Sequence, residues 1–198
     1  MQRQFNTLTL ALIPVAVVIN IVMGQIVAVL KLPLYLDSIG TVLVGALAGP
    51  LAGGITGALA NLVWGVLTGP TIIPFAITAF VIGVLAGWFA RLGWLRAGGG
   101  AAGLVKAAVA GLITGIVAAI VSAPIAAYLF GGVTGAGTDA LVAFFQSMGA
   151  NVIQATLGQG LVSDPLDKTI TYIVVWLILQ ALPRRQVARF PQGEQLVA

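Results

Sequence analysis

Leu8 to Leu30, LTLALIPVAVVINIVMGQIVAVL, decides the class of this chain. The stretch carries no charge and exceeds the roughly 20 apolar residues that a helix needs to cross hydrocarbon. It is also too long for the apolar core of a cleavable signal peptide, typically about 7–15 residues, so it reads as a retained first span behind Arg3. The rest of the chain has the same character. Of 198 residues, 60% are hydrophobic and only 7% charged, where a soluble domain carries about 25% charged residues. Mean hydropathy is +1.10. These values predict an all-α, multi-spanning membrane protein forming one domain over 1–198, with room for about six helices.

Apolar runs and their breakers place helices at about 8–30, 37–48, 51–67, 73–95, 104–131 and 166–183. Lys31-Leu32-Pro33, Gly49-Pro50, Gly69-Pro70 and Gly98-Gly99-Gly100 punctuate them. The segment 132–165 is too rich in glycine for a span and too apolar for a solvated linker, so it is expected to fold back as a long outer loop or cap. With both termini inside, Arg3, Arg91, Arg96, Lys106, Arg184, Arg185 and Arg189 fall on the inner side, leaving Lys31 and Lys168 outside. Short cytoplasmic loops collect Lys and Arg in this way. Asp37, Asp139, Asp164 and Asp167 sort to the outer side, and Glu194 to the inner one. The scatter of basic residues at helix ends accounts for the net charge of +4 by topology, with no nucleic-acid partner.

Cysteine and histidine are absent, which removes thiolate and imidazole nucleophile chemistry and the usual zinc ligand sets. No metal and no cofactor is expected. No P-loop sequence is present. In this division of the chain every ionisable residue lies at or beyond a helix end, whereas ion-coupled carriers usually place one near mid-membrane. A chain built this way binds something and takes its energy from elsewhere. Gly45, Gly49, Gly53, Gly57, Asn61, Gly65 and Gly69 recur every fourth residue, a spacing that lets helix backbones approach closely. That face serves either packing within the bundle or contact with a partner subunit.

Several residues are candidates for a binding site on the outer side. Asp37 suits a helix N-cap and, with Tyr35 beside it, can also accept hydrogen bonds from a ligand. Asn61 must find a partner inside its span, either another helix or a ligand, and Trp64 offers a flat surface on nearly the same face. Asn20 reads as packing glue. Phe75, in a loop stiffened by Pro70 and Pro74, is placed to close over a site. A helix over 139–157 would align Ser147, Asn151 and Gln154 as a polar stripe, facing either a ligand or water. Asp164 is expected to cap the last helix with Pro165 at its first position, and Asp167 and Lys168 to be interfacial residues of its first turn.

Leu36-Asp37-Ser38-Ile39-Gly40-Thr41, the run from Gly49-Pro50 through Gly57 to Asn61, Pro74-Phe75, and Asp164-Pro165-Leu166-Asp167-Lys168 followed by Leu182-Pro183-Arg184-Arg185 occur in order along the chain. With these segments the sequence resembles the S components of energy-coupling factor (ECF) transporters, small membrane proteins that bind vitamins and related micronutrients. The resemblance implies a six-helix bundle in the cell membrane of a prokaryote, with an outward ligand pocket roofed by the loops after the first, third and fifth helices. It further implies docking to a transmembrane coupling subunit and two cytoplasmic ATPases. The family docks through an Ala-x-x-x-Ala pair in the first helix; here Ala16, Asn20 and Gly24 stand at that spacing, with Pro14 nearby. Tyr35, Trp64, Phe75 and the Ser147/Asn151/Gln154 stripe suggest a neutral or weakly cationic aromatic heterocycle such as a vitamin, a precursor or a nucleoside-like compound. Two other classes fit the composition: a stand-alone facilitator or channel, and a scaffold subunit that binds no small ligand. An enzyme is not expected, since Asp37 and Asp164, which a lipid-modifying enzyme could use, have no metal constellation beside them.

Overall fold

The computed structural model describes residues 4–197, and all regular structure among them is helical. Arg3, assigned above to the inner side, lies outside the described residues. The long elements are α1 (Thr7–Val29), α3 (Pro50–Thr68), α4 (Ala76–Arg91), α5 (Gly100–Phe130) and α7 (Val152–Ala181). Shorter ones are α2 (Ile39–Ala48), α6 (Asp139–Ser147), α8 (Arg184–Val187) and α9 (Gly193–Val197), and a 3-10 turn, Pro70–Phe75, leads into α4. Four helices are long and apolar enough to cross a membrane: Thr7–Val29, Pro50–Thr68, Pro70–Arg91 and Gly100–Phe130. α2, with 10 residues, is too short to do so alone.

Small residues bring these helices together. Gly45 of α2, Gly53 of α3 and Gly83 of α4 meet at one crossing, where a Cβ on Gly53 or Gly83 would run into neighbouring backbone. Gly57 faces Ala79 and Thr41, and Gly65 faces Ile73. From Gly45 to Gly65 the fourfold glycines therefore pack inside the bundle, while Gly69 meets open space. On α5, Gly103, Ala107, Gly111, Gly115 and Ala119 form a second buried stripe, and Gly111 and Gly115 lie against the backbone of Lys168, Asp164 and Pro165 on α7. Large apolar side chains point outward instead: Val15, Val18, Val22 and Ile26 of α1 and Val105, Leu112 and Ile120 of α5 are exposed. Close helix contacts made by Ala and Gly, with Val, Leu and Ile exposed on the outer surface, are compatible with lipid as the surrounding solvent.

Three expectations need correction. The last helix does not begin at 166: α7 runs unbroken from Val152, with Pro165 inside it. Asp164 consequently caps nothing, and Asp164, Asp167 and Lys168 sit at the middle of a helix about 45 Å long. The premise that no ionisable residue lies within a long helix therefore fails, and Lys168 does not belong to an outer loop. Second, much of 132–165 is helix, in α6 and the first half of α7, rather than a long loop. Gly149, at φ +93°, separates the two, so no single helix covers 139–157. Third, Ala16, Asn20 and Gly24 are buried. Ala16 packs on Gly40, and the Asn20 side chain donates to Thr41 Oγ1 (2.7 Å) and accepts from the Gly40 N–H (2.7 Å). That face of α1 is covered by α2, by Asp37 and by Trp64 of α3, and offers no docking surface.

The two ends of the bundle differ. At the end where α1 finishes and α7 begins, the chain between Leu30 and Ser38 dips inward, since Gly24 lies against Asp37 and Ala16 against Gly40. At the opposite end the interior is closed by Phe89, Leu95, Tyr172, Leu179, Val187 and Leu196. Gln192 seals that end of α2, donating its side-chain amide to Gly45 O (2.9 Å) and Ala46 O (3.2 Å) and its backbone N–H to Leu47 O (2.9 Å). Helix-terminal carbonyls in an apolar setting need such partners.

Candidate functional site

The inward dip of 30–38 brings irregular backbone to the level of the middle of α7, where its amide donors must be satisfied by protein. Asp167 does this. Fully buried, it accepts from the N–H groups of Tyr35 (3.1 Å) and Leu36 (2.7 Å) through one oxygen and from the Lys168 ammonium through the other. Lys168, 3% exposed, also donates to Ser38 Oγ (2.8 Å) and pairs with Asp37 at 3.4 Å. Leu36, at φ +49°, makes the sharp turn that this arrangement requires. A buried charge is tolerable only when paired and hydrogen-bonded, and this cluster meets that condition.

Above the cluster is a cavity of about 300 Å³. Its floor is Asp37, Ser38 and Lys168; its walls come from α1 (Gly24, Gln25, Ala28), α3 (Asn61, Trp64), α4 (Thr78, Ala79, Ile82), α5 (Ala118, Ser122) and α7 (Gln159, Asp164); Phe75 and residues 134–137 stand at the rim. Trp64 donates its indole N–H to Gln25 (3.2 Å), and Phe75 stacks on Phe130 at 6.0 Å. Tyr35 links the rim to α7, its hydroxyl lying 3.0 Å from Thr138 Oγ1 and accepting from Gln159 Nε2 at 3.2 Å. Burial, reinforced by the Asp164 charge, pushes this phenol above its usual range, so it keeps its proton as a donor.

Of the residues expected at a site, Tyr35, Asp37, Asn61, Trp64, Phe75 and Asp164 line this one cavity. Ser147, Asn151 and Gln154 do not; all three are exposed. Ser147 bonds back to Phe144 O, while Asn151 and Gln154 form the reciprocal capping box that starts α7. Gly24, expected at a docking surface, lies instead under the Trp64 indole. Lys168, Asp167, Gln159, Ser38 and Thr78 were not anticipated here. Among the described residues no group of three His, Cys, Asp or Glu side chains is arranged to hold a metal ion.

Three polar side chains, from α3, α4 and α7, line the cavity. Asn61 is 5% exposed and Asp164 4%, and Asp164 has the Ser122 hydroxyl beside it. Thr78 Oγ1 is buried without a hydrogen-bond partner among the described residues, as is Thr171 Oγ1 of α7, which lies outside the cavity lining. Roughly 90% or more of buried polar groups are hydrogen-bonded. Thr78 is such an exception, and it lines the cavity.

The wall also makes a packing prediction. A Cβ on Gly24 would overlap the far edge of the Trp64 ring, so Gly24→Ala should drive the indole into the cavity and lower stability by about 1–3 kcal/mol. Thermal unfolding in detergent measures this; an unchanged midpoint would mean that the indole is free to move aside.

Fold and site together define an all-helical protein, compatible with residence in a membrane, that carries a mostly apolar cavity with a few polar groups, open at one end and closed at the other. No protein-family model, curated protein or solved structure matches the chain.

Proposed function

We propose that this protein is the substrate-capturing subunit of a small-molecule uptake system in a prokaryotic cell membrane, of the kind that ECF S components provide. In this reading α2 with its inward-dipping leader and α7 complete a six-helix bundle around the four apolar spans. The cavity faces outward, both termini are cytoplasmic, and the ligand is a vitamin-like or nucleoside-like aromatic compound. The observation that carries the reading is a cavity that brings Asn61, Asp164 and the unpartnered Thr78 hydroxyl together with Trp64 and Phe75. A few convergent polar groups in a mostly apolar concavity characterise small-molecule sites. Arg91, Arg96, Arg184, Arg185 and Arg189 cluster at the closed end, which supports placing that end in the cytoplasm. Energy would come from a coupling subunit with two ATPases. With Ala16, Asn20 and Gly24 buried, docking would use other residues, such as the exposed Val15, Val18 and Val22 face of α1.

Thermal unfolding of the purified protein against vitamins, nucleosides and their precursors tests this, because a ligand that binds only the folded state stabilises it by RT ln(1 + [L]/Kd), about 2.7 kcal/mol at 100 Kd. One compound class should raise the midpoint, and Trp64→Ala should abolish the shift. No shift from any compound would favour a scaffold subunit.

A second reading has a specific observation behind it. Asp164, Asp167 and Lys168 at the centre of α7 are the kind of intramembrane ionisable group that carriers use for coupling. Uptake by proteoliposomes containing this chain alone would favour that stand-alone carrier over the ATPase-dependent subunit.

A further inference from the structure

Resting on the ligand-binding reading, we propose that the cavity selects an organic monocation with an aromatic body, its positive group seated against Asp164. The charge distribution is the first argument. The chain is +4 overall and has only 5 acidic residues, yet Asp37, Asp139 and Asp164 line the cavity and Asp167 lies directly behind its floor. The opposing cations are Lys168 in the floor and Lys31 at the mouth, where its ammonium donates to Gly135 O (3.1 Å). The basic chain thus surrounds a negatively charged cavity.

The second argument is which of these carboxylates is free. Asp167 holds two backbone N–H groups and Lys168; Asp37 pairs with Lys168; Asp139 accepts from the N–H groups of Thr134 (3.0 Å) and Gly135 (2.7 Å). Asp164, 4% exposed, has no cation paired with it and no backbone N–H donating to it among the described residues. Its polar neighbour on α5 is the Ser122 hydroxyl, a neutral group that cannot offset the charge. An isolated ionised carboxylate in such a place is costly, and a ligand cation is the partner that removes the cost.

The third argument excludes the opposite charge. An ammonium has three donors, and those of Lys168 point to Asp167, Ser38 and Asp37. The floor therefore has no free positive group for an anionic ligand. The Trp64 and Phe75 rings add faces that attract a cation electrostatically. A cavity of about 300 Å³ is at the small end of ligand sites, which limits the body to one or two rings.

The test uses matched probes sharing a ring and differing in charge: benzylamine, benzyl alcohol and benzoate; 3-picolylamine, 3-pyridinemethanol and nicotinate; tryptamine, tryptophol and indole-3-acetate. Binding to the purified full chain is read by thermal shift and calorimetry. The tightest binder should be an amine, at least about tenfold tighter than its alcohol. Asp164→Asn should erase that preference by weakening amine binding to the level of the alcohol. Asp164→Glu, which keeps the charge, should keep the preference. If an alcohol or a carboxylate binds tightest, or if Asp164→Asn retains the amine preference, the cation assignment is overturned while the binding-subunit reading stands. If neither these probes nor the vitamin panel produce a shift, both fall together.

Discussion

Lys168→Met should destabilise the protein by about 3–5 kcal/mol, the usual consequence of removing one partner from a buried ion pair. Asp167 would keep its two backbone donors but lose the ammonium that neutralises it at a fully buried position. Because Asp167 holds Tyr35 and Leu36 in place, the damage should extend to the whole 30–38 segment and to the floor of the cavity. The double variant Asp167→Asn/Lys168→Met should recover part of the loss, since the amide leaves no uncompensated charge and its oxygen still accepts from the backbone. Denaturant or thermal unfolding in detergent reads both. A single variant as stable as the parent would show that the pair has no structural role.

Gly83→Val should be comparably severe for a different reason. A Cβ there meets the Gly53 carbonyl carbon and oxygen, which are backbone and cannot rotate away. Overpacking typically costs about 1–3 kcal/mol where side chains can adjust; here α3 and α4 must separate, which places the expected loss at or above the top of that range. Gly158→Ala is the control. Its Cβ meets only the edge of the Phe145 ring at 3.2 Å and lies within α7, so the change should be nearly neutral. Equal effects from the two substitutions would mean that the α3–α4 crossing is looser than its geometry implies.

Much of this architecture is legible in the sequence for physical reasons. Uncharged apolar runs and Gly-Pro breakers mark α1 to α5 because a long apolar helix ends only where the chain must turn. The second half of the bundle was misread at Pro165. Proline just after an Asp resembles a helix start, yet Thr156, Gln159, Ser163, Asp167 and Thr171 continue on one helical face straight through it. That unbroken spacing was the available signal, and it outweighs a single proline packed against Gly115. Missing it hid the central charge cluster, because Lys168 looked interfacial. For Ser147, Asn151 and Gln154 the opposite error occurred: a helical spacing was assumed across Gly149, whose left-handed backbone ends the helix. Ala16, Asn20 and Gly24 show a third limit. Small residues at fourfold spacing announce a close helix contact but carry no information about whether α2 or a separate subunit makes it.

The central claim is a membrane-embedded binding cavity that opens outward and is closed on the cytoplasmic side. The chain contains no cysteine, so single-cysteine variants can be labelled with a membrane-impermeant maleimide without background. Thr71, exposed at the cavity rim, and Arg185, exposed at the closed end, are the positions to compare. Thr71→Cys should label in intact cells and be protected by the compound that raises the unfolding midpoint, while Arg185→Cys should label only after permeabilisation. Labelling of Arg185→Cys in intact cells, with Thr71→Cys silent until the membrane is opened, would contradict the outward-facing cavity.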